Sequence, residues 1–149
     1  MKNNGLPFEL SVKVSTNRPD FRVFASFLFA SNTHNYDSDG DSYPLTSRHW
    51  TELYISSREI DNYTFSISPL QNDPLILQIQ ASQKSICYAI AYFLAIETQG
   101  SVFNNQGIPL SSQHIENKLK NFPLTEHLAF ANESVWKNSS EDNPYPNLN

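Results

Sequence analysis

The chain is short of cysteine, glycine, positive charge and long apolar runs, and each shortage excludes something. A single thiol, Cys87, allows no intramolecular disulfide; set in an apolar run, it reads as a small hydrophobe rather than a nucleophile. Four glycines leave little from which to build a phosphate-cradling loop, and no GxSxG or Cys–His signature occurs. Lys plus Arg is 10 against 15 Asp plus Glu, a net charge of -5. That balance argues against unaided binding to nucleic acid, which rests on clustered Lys and Arg, and favours a basic partner or none. The longest apolar stretch, eleven residues from Ile86 to Ile96, falls short of a membrane span, which needs about 20. MKNNGLPFELSV has no apolar signal region, so the expectation is a soluble cytoplasmic protein. The sequons at Asn62, Asn132 and Asn138 carry no weight in that compartment.

What is present is organised around Ser82 to Gly100, SQKSICYAIAYFLAIETQG. Its apolar run is too long for a buried strand of about 4–8 residues. It predicts a central helix near 83–98, buried on most sides. Ser82 is the expected N-cap, because its hydroxyl can accept from the first-turn amides. Gly100 is the expected stop, because glycine takes the left-handed conformation cheaply.

The rest of the chain predicts an α+β domain with a mainly antiparallel sheet and short C-terminal helices, spanning 1–137. Phe8, Leu10, Val12 and Val14 alternate with polar residues, the pattern of a half-buried strand. Thr16 or Asn17 can cap a helix with Pro19 and Asp20 in its first turn and Phe21, Phe24, Ala25, Leu28 and Phe29 at helical spacing. A strand over 23–29 is the alternative, since phenylalanine also suits sheets. The polar stretch 32–47 reads as a long loop. Strands follow near 50–57, 62–68 and 75–81, joined by turns at Asp61–Asn62 and Pro69–Pro74. The first of these sets Trp50, Glu52, Tyr54 and Ser56 on one face and Thr51, Leu53 and Ile55 on the other. The apolar face of this meander needs a cover, and the central helix follows it at once. A short strand near 101–104 pairs back near Ile108, and Ser111 or Ser112 and then Thr125 open two short helices. Residues 138–149, with two prolines and little to bury, read as a flexible or loosely attached tail.

Candidate chemistry is sparse. Asp37, Asp39 and Asp41 resemble the start of a calcium loop, but the glycine stands at position four instead of six and Arg48 occupies position twelve, where glutamate is required. They read instead as a solvated turn or as carboxylates aimed at a basic partner. His34, His49, His114 and His127 show no ligand spacing with one another or with Cys87. Trp50, Tyr54 and Trp136 are the aromatics to watch as interface anchors, with core packing as their other role.

The stretch from Trp50 to Val102 adds a family signal. A W-T-E-L-Y strand, an arginine at 58, F-S-I-S-P, L-I-L-Q-I and the helix I-A-Y-F-L-A-I-E-T-Q-G resemble small immunity proteins of bacterial polymorphic toxin systems, in particular contact-dependent growth inhibition immunity proteins. The resemblance covers the middle third of the chain and is structural in kind. It implies a cytoplasmic binding protein with no catalytic residues, no cofactor and no metal, which holds a cognate toxin domain, often a nuclease, inactive. The acidic balance agrees with a basic partner. The expected contacts are Asp37, Asp39 and Asp41 in the long loop, with Trp50, Glu52, Tyr54, Glu59 and Asp61 around the first hairpin. The alternatives are a non-catalytic adaptor or structural module, or a small enzyme using the His34–His49 loop.

Overall fold

In the computed structural model, which describes residues 6–31, 33–40 and 46–146, the alternating stretches pair into one antiparallel sheet under a helical layer. In chain order the elements are β1 Phe8–Lys13, α1 Phe21–Phe29, β2 Tyr36–Gly40, β3 Leu53–Ser57, β4 Thr64–Asn72, β5 Leu75–Ala81, α2 Lys84–Thr98, β6 Ser101–Phe103, β7 Pro109–Leu110, α3 Ser112–Lys118 and α4 Leu124–Asn132. A 3-10 turn, Val135–Asn138, closes the series. The sheet order is β2-β3-β4-β5-β1-β6-β7, every pairing antiparallel, and the fold class is α+β. Because β5 runs antiparallel to both β4 and β1, β1 and β4 share a direction with one strand between them. By the same logic β5 and β6 flank β1. β5-α2-β6 is therefore a split β-α-β unit with β1 between its strands, while β1 reaches β4, parallel to it beyond β5, through α1, β2 and β3. β2–β3 extend the sheet at one edge and β7 at the other.

Burial follows the pleat. Leu10, Val12, Leu53, Ile55, Phe65, Ile67, Leu77 and Ile79 all point into the core. Over them lies α2, with Ile86, Cys87, Ala89, Ile90, Ala91, Phe93 and Leu94 buried as its apolar run requires. Tyr88, Tyr92 and Ala95 are half-buried, and Ile96 is exposed near the helix end. Residues 21–29 form α1, which is a helix and not a strand and packs against α2 and α4. Its inner residues build an aromatic cluster: Phe27 stacks on Phe93 at 4.3 Å between centroids, and Phe24 meets Phe93 and Trp50 edge-on at 5.1 and 5.5 Å.

The local signals differ from expectation at several points. Asp20, not Thr16 or Asn17, caps α1, its Oδ1 accepting from the Arg22 amide at 2.8 Å. Ser82 does not cap α2; Gln83 holds that position without a side-chain bond. The Ser82 hydroxyl instead accepts from the Thr64 amide (2.9 Å) and donates to the Asn62 carbonyl (2.8 Å), tying the end of β5 to the start of β4. The left-handed residue ending α2 is Gln99, at φ 55, and not Gly100. Gly100 is needed for another reason: a Cβ there would run into the Lys13 carbonyl of β1. β4 continues through a bulge between Pro69 and Gln71 to Asn72, where a turn was expected.

Two larger differences concern the polar segments. Residues 36–40 of the expected loop form the edge strand β2, which gains pairing from β3 on one side and buries little, so no alternation marks it. Ser139, in the expected tail, is buried: its hydroxyl donates to Asp20 Oδ2 at 2.7 Å, and its carbonyl accepts from Arg48 at 2.9 Å. Hydrogen bonding, not apolar burial, draws that segment in.

Phe93 is fully buried and touches both Phe24 and Phe27. Phe93→Ala is expected to destabilise the fold by about 3–5 kcal/mol in denaturant unfolding. A loss well under about 1 kcal/mol would show that the aromatic cluster does not hold the two helices to the sheet.

Candidate functional site

Helices cover one face of the sheet; the other is open, and the strand register says what lies on it. Residues directly opposite one another across an antiparallel pair share a face. Asp39 lies opposite Tyr54, Tyr54 opposite Ser66, Ser66 opposite Gln80, and Gln80 opposite Glu9. One row thus crosses five strands with a carboxylate at each end. A neighbouring row runs Asp37, Ser56, Thr64, in which the two hydroxyls share a 2.7 Å hydrogen bond. A third runs Ser68, Gln78, Ser11, Phe103. This end of the face dips into a depression of about 510 Å3 lined by Leu70, Ile76 and Phe103, with Glu9, Lys13 and Gln78 around them. Leu70 and Ile76, from the β4–β5 hairpin, and Phe103, from distant β6, supply that apolar floor.

The expected contact residues do not all meet. Asp37 and Asp39 stand on β2 and are exposed, and Tyr54 beside Asp39 is 39% exposed. Arg58 reaches across to Asp37, both of its Nε and Nη2 at 2.7 Å from Oδ1, an exposed pair of little energetic weight. Glu52 is exposed just before β3. Glu59 is turned to local work: its Oε2 accepts from the Asn35 amide at 2.6 Å, fixing the entry to β2. Asp61 is exposed in the β3–β4 turn, next to Asn62 at φ 58. Asp41 lies outside the described residues.

Trp50 is a correction. At 1% exposure it offers no surface, because β3 begins only at Leu53 and the period-two pattern does not extend back to it. Its ring enters the core against Phe24, its indole N–H donates to the Pro19 carbonyl (2.8 Å), and its own carbonyl accepts from Arg18 (2.9 Å). Tyr54 is therefore the exposed aromatic of this face.

Two histidines serve packing, while His49 and His114 are exposed. His34 stacks on Phe29 at 3.9 Å and shares a 2.8 Å hydrogen bond with Ser57; His127 Nδ1 lies 2.6 Å from the Phe27 carbonyl. Among the described residues no three His, Cys, Asp or Glu side chains are grouped to hold a metal ion. Two of the buried charges, Asp20 and Arg22, pair with each other, and Ser139 completes Asp20 while the Trp136 ring lies 4.1 Å from the Arg22 guanidinium. The open face presents polar rows, exposed carboxylates, one exposed tyrosine and a shallow apolar hollow. No helix among the described residues is long and apolar enough to cross a membrane. No protein-family model, curated protein or solved structure matches the chain.

Burial pushes the Cys87 thiol up from 9.0 to about 12, with nearby Glu9 adding to the rise. Burial raises the hydroxyls of Tyr36 and Tyr63 as well. Below pH 9 both folded and unfolded chains keep the thiol proton; above it only the unfolded chain releases it, so stability falls as pH rises from 9.0 towards about 12. Two outcomes are expected: Cys87 does not react with a thiol reagent at pH 8 until the chain is unfolded, and the unfolding midpoint declines above pH 9. Rapid labelling of the native protein would contradict the first.

Proposed function

We propose that this chain is a cytoplasmic immunity protein that binds a cognate toxin domain, of the basic nuclease class, and neutralises it by covering its active site. The observation that carries the reading is the open sheet face, where exposed Asp37 and Asp39 line up beside exposed Tyr54 in a chain of net charge -5. The family resemblance over Trp50–Val102 supports it. A nuclease that grips phosphates is basic, and carboxylates aimed at its groove occupy the place of those phosphates. At low salt the acidic edge steers encounter and speeds association. Tyr54, a large amphipathic ring already oriented by its strand, slows dissociation once seated. No cofactor and no nucleic acid enter this scheme.

The test has two levels. Co-expression with the toxin domain encoded beside it should protect the cell and yield a complex, and deletion of this chain alone should be toxic. Neither protection nor complex would end the immunity reading. Within the complex, Asp37→Asn with Asp39→Asn is expected to lower the association rate by about tenfold at low salt and flatten its salt dependence. Removing Asp37 also leaves Arg58 without its pair, which adds to the loss. Tyr54→Ala should act on dissociation instead. A protective complex whose association rate and salt slope do not respond would place the contact elsewhere on the molecule.

A further inference from the structure

The helical layer carries a second surface, separate from the open sheet face. Glu126, Ala129 and Phe130 stand at i, i+3 and i+4 on α4, on one stripe of the helix, and the C-cap residue Glu133 follows at i+7. The opposite stripe is occupied: Ala131 is buried and His127 reaches the Phe27 carbonyl of α1. The outward stripe faces a groove of about 660 Å3, completed by Ser134, Val135 and Trp136. Val135 is 39% exposed.

The groove is already formed. Ser134 accepts from the Trp136 amide at 3.3 Å and shares a 3.0 Å hydrogen bond with Ser26 of α1, which fixes the 3-10 turn. The Arg22 guanidinium, itself paired with Asp20, packs 4.1 Å from the Trp136 ring and holds its orientation. A tryptophan immobilised in this way meets a partner at little entropic cost.

The groove is also one-signed. Glu126 and Glu133 are its charged residues, and among the described residues neither carboxylate has an ion pair. Lys137, the nearest cation along the chain, is turned to Glu97 (3.0 Å) and Asn132 (3.2 Å). Glu126 suits the first turn of α4, but Glu133 stands at its C-terminal cap, where the helix dipole disfavours an anion. Helix stability therefore does not account for it.

We propose that this groove docks a cationic amphipathic segment of a partner protein. An apolar side chain enters between Phe130, Val135 and Trp136, and flanking Lys or Arg residues pair with Glu126 and Glu133. The same charge rejects an anionic lipid surface. The inference goes beyond the immunity reading and holds whatever protein the open face engages.

The probe is a short helical peptide of leucine and lysine in amphipathic register, with a leucine–glutamate peptide as control, titrated into the labelled full chain and followed by amide and indole NMR signals. The two tryptophans give separate reporters, since Trp50 is buried and Trp136 lines the groove. The basic peptide is expected to shift the Trp136 indole and the α4 amides saturably, to leave Trp50 in place, and to weaken with salt. Glu126→Lys with Glu133→Lys should lower its affinity roughly tenfold, from two exposed pairs converted to repulsions. Should that variant lose its dispersed spectrum, Glu126→Gln with Glu133→Gln serves, with a smaller loss expected. The proposal is overturned if the basic peptide leaves Trp136 unmoved, if both peptides bind alike, if the shifts fall on the open sheet face, or if a folded charge variant binds unchanged.

Discussion

The structure depends on burying α2. A helix with Ile86, Cys87, Ala89, Ile90, Ala91, Phe93 and Leu94 all removed from water must be covered on more than one side. The sheet covers one side through Leu10, Val12, Leu77 and Ile79, and α1 covers another through Phe24 and Phe27. The Phe27–Phe93 stack is the place where those demands meet. Close approach sets the rest: Gly100 lets the chain leave α2 directly against the β1 carbonyl of Lys13, so β6 can pair on the far side of β1. The split β5-α2-β6 arrangement around β1 follows from that placement.

A second constraint is polar. Asp20 caps α1, pairs with Arg22 and accepts from Ser139, all in a site closed to water. A buried carboxylate must have such partners, since an unpaired one would cost several kcal/mol. Meeting that need draws residue 139 back across the fold, and Arg48 binds the same serine from the other side. The same Arg22 then orients Trp136. The local demand of one helix cap thus organises the C-terminal part of the chain and shapes the groove beside α4.

The function proposed for this fold uses surfaces. One face of the sheet is consumed by the core, which leaves the other to solvent as ordered polar rows. Carboxylates collect at the β2 edge, where charge also protects an unpaired strand from pairing with a neighbour. The immunity reading uses that face and its tyrosine; the acidic groove on the helical layer offers a differently shaped contact, apolar at its floor and anionic at its rim.

Much was legible in the residues alone. The eleven-residue apolar run specifies a buried helix, and the alternation in β1, β3 and β5 marks strands with one wet face, because burial imposes its period directly on composition. Asp37 and Asp39 could be picked out as polar, and Tyr54 as an interface anchor or a core residue, but their alignment across β2 and β3 could not, since register is a property of pairing between distant segments. β2 left no trace because an edge strand exposed on its face needs no apolar period. Trp50 was misplaced by extending a period-two pattern past the strand's start, where a carbonyl partner at Pro19 and a ring partner at Phe24 outweigh it. Composition and local period thus determined which segments bury themselves and in what form. Which exposed residues stand together, and what the polar ends of the chain attach to, was decided only by tertiary contacts, because hydrogen bonds and charge pairs link residues with no periodic signature in the sequence.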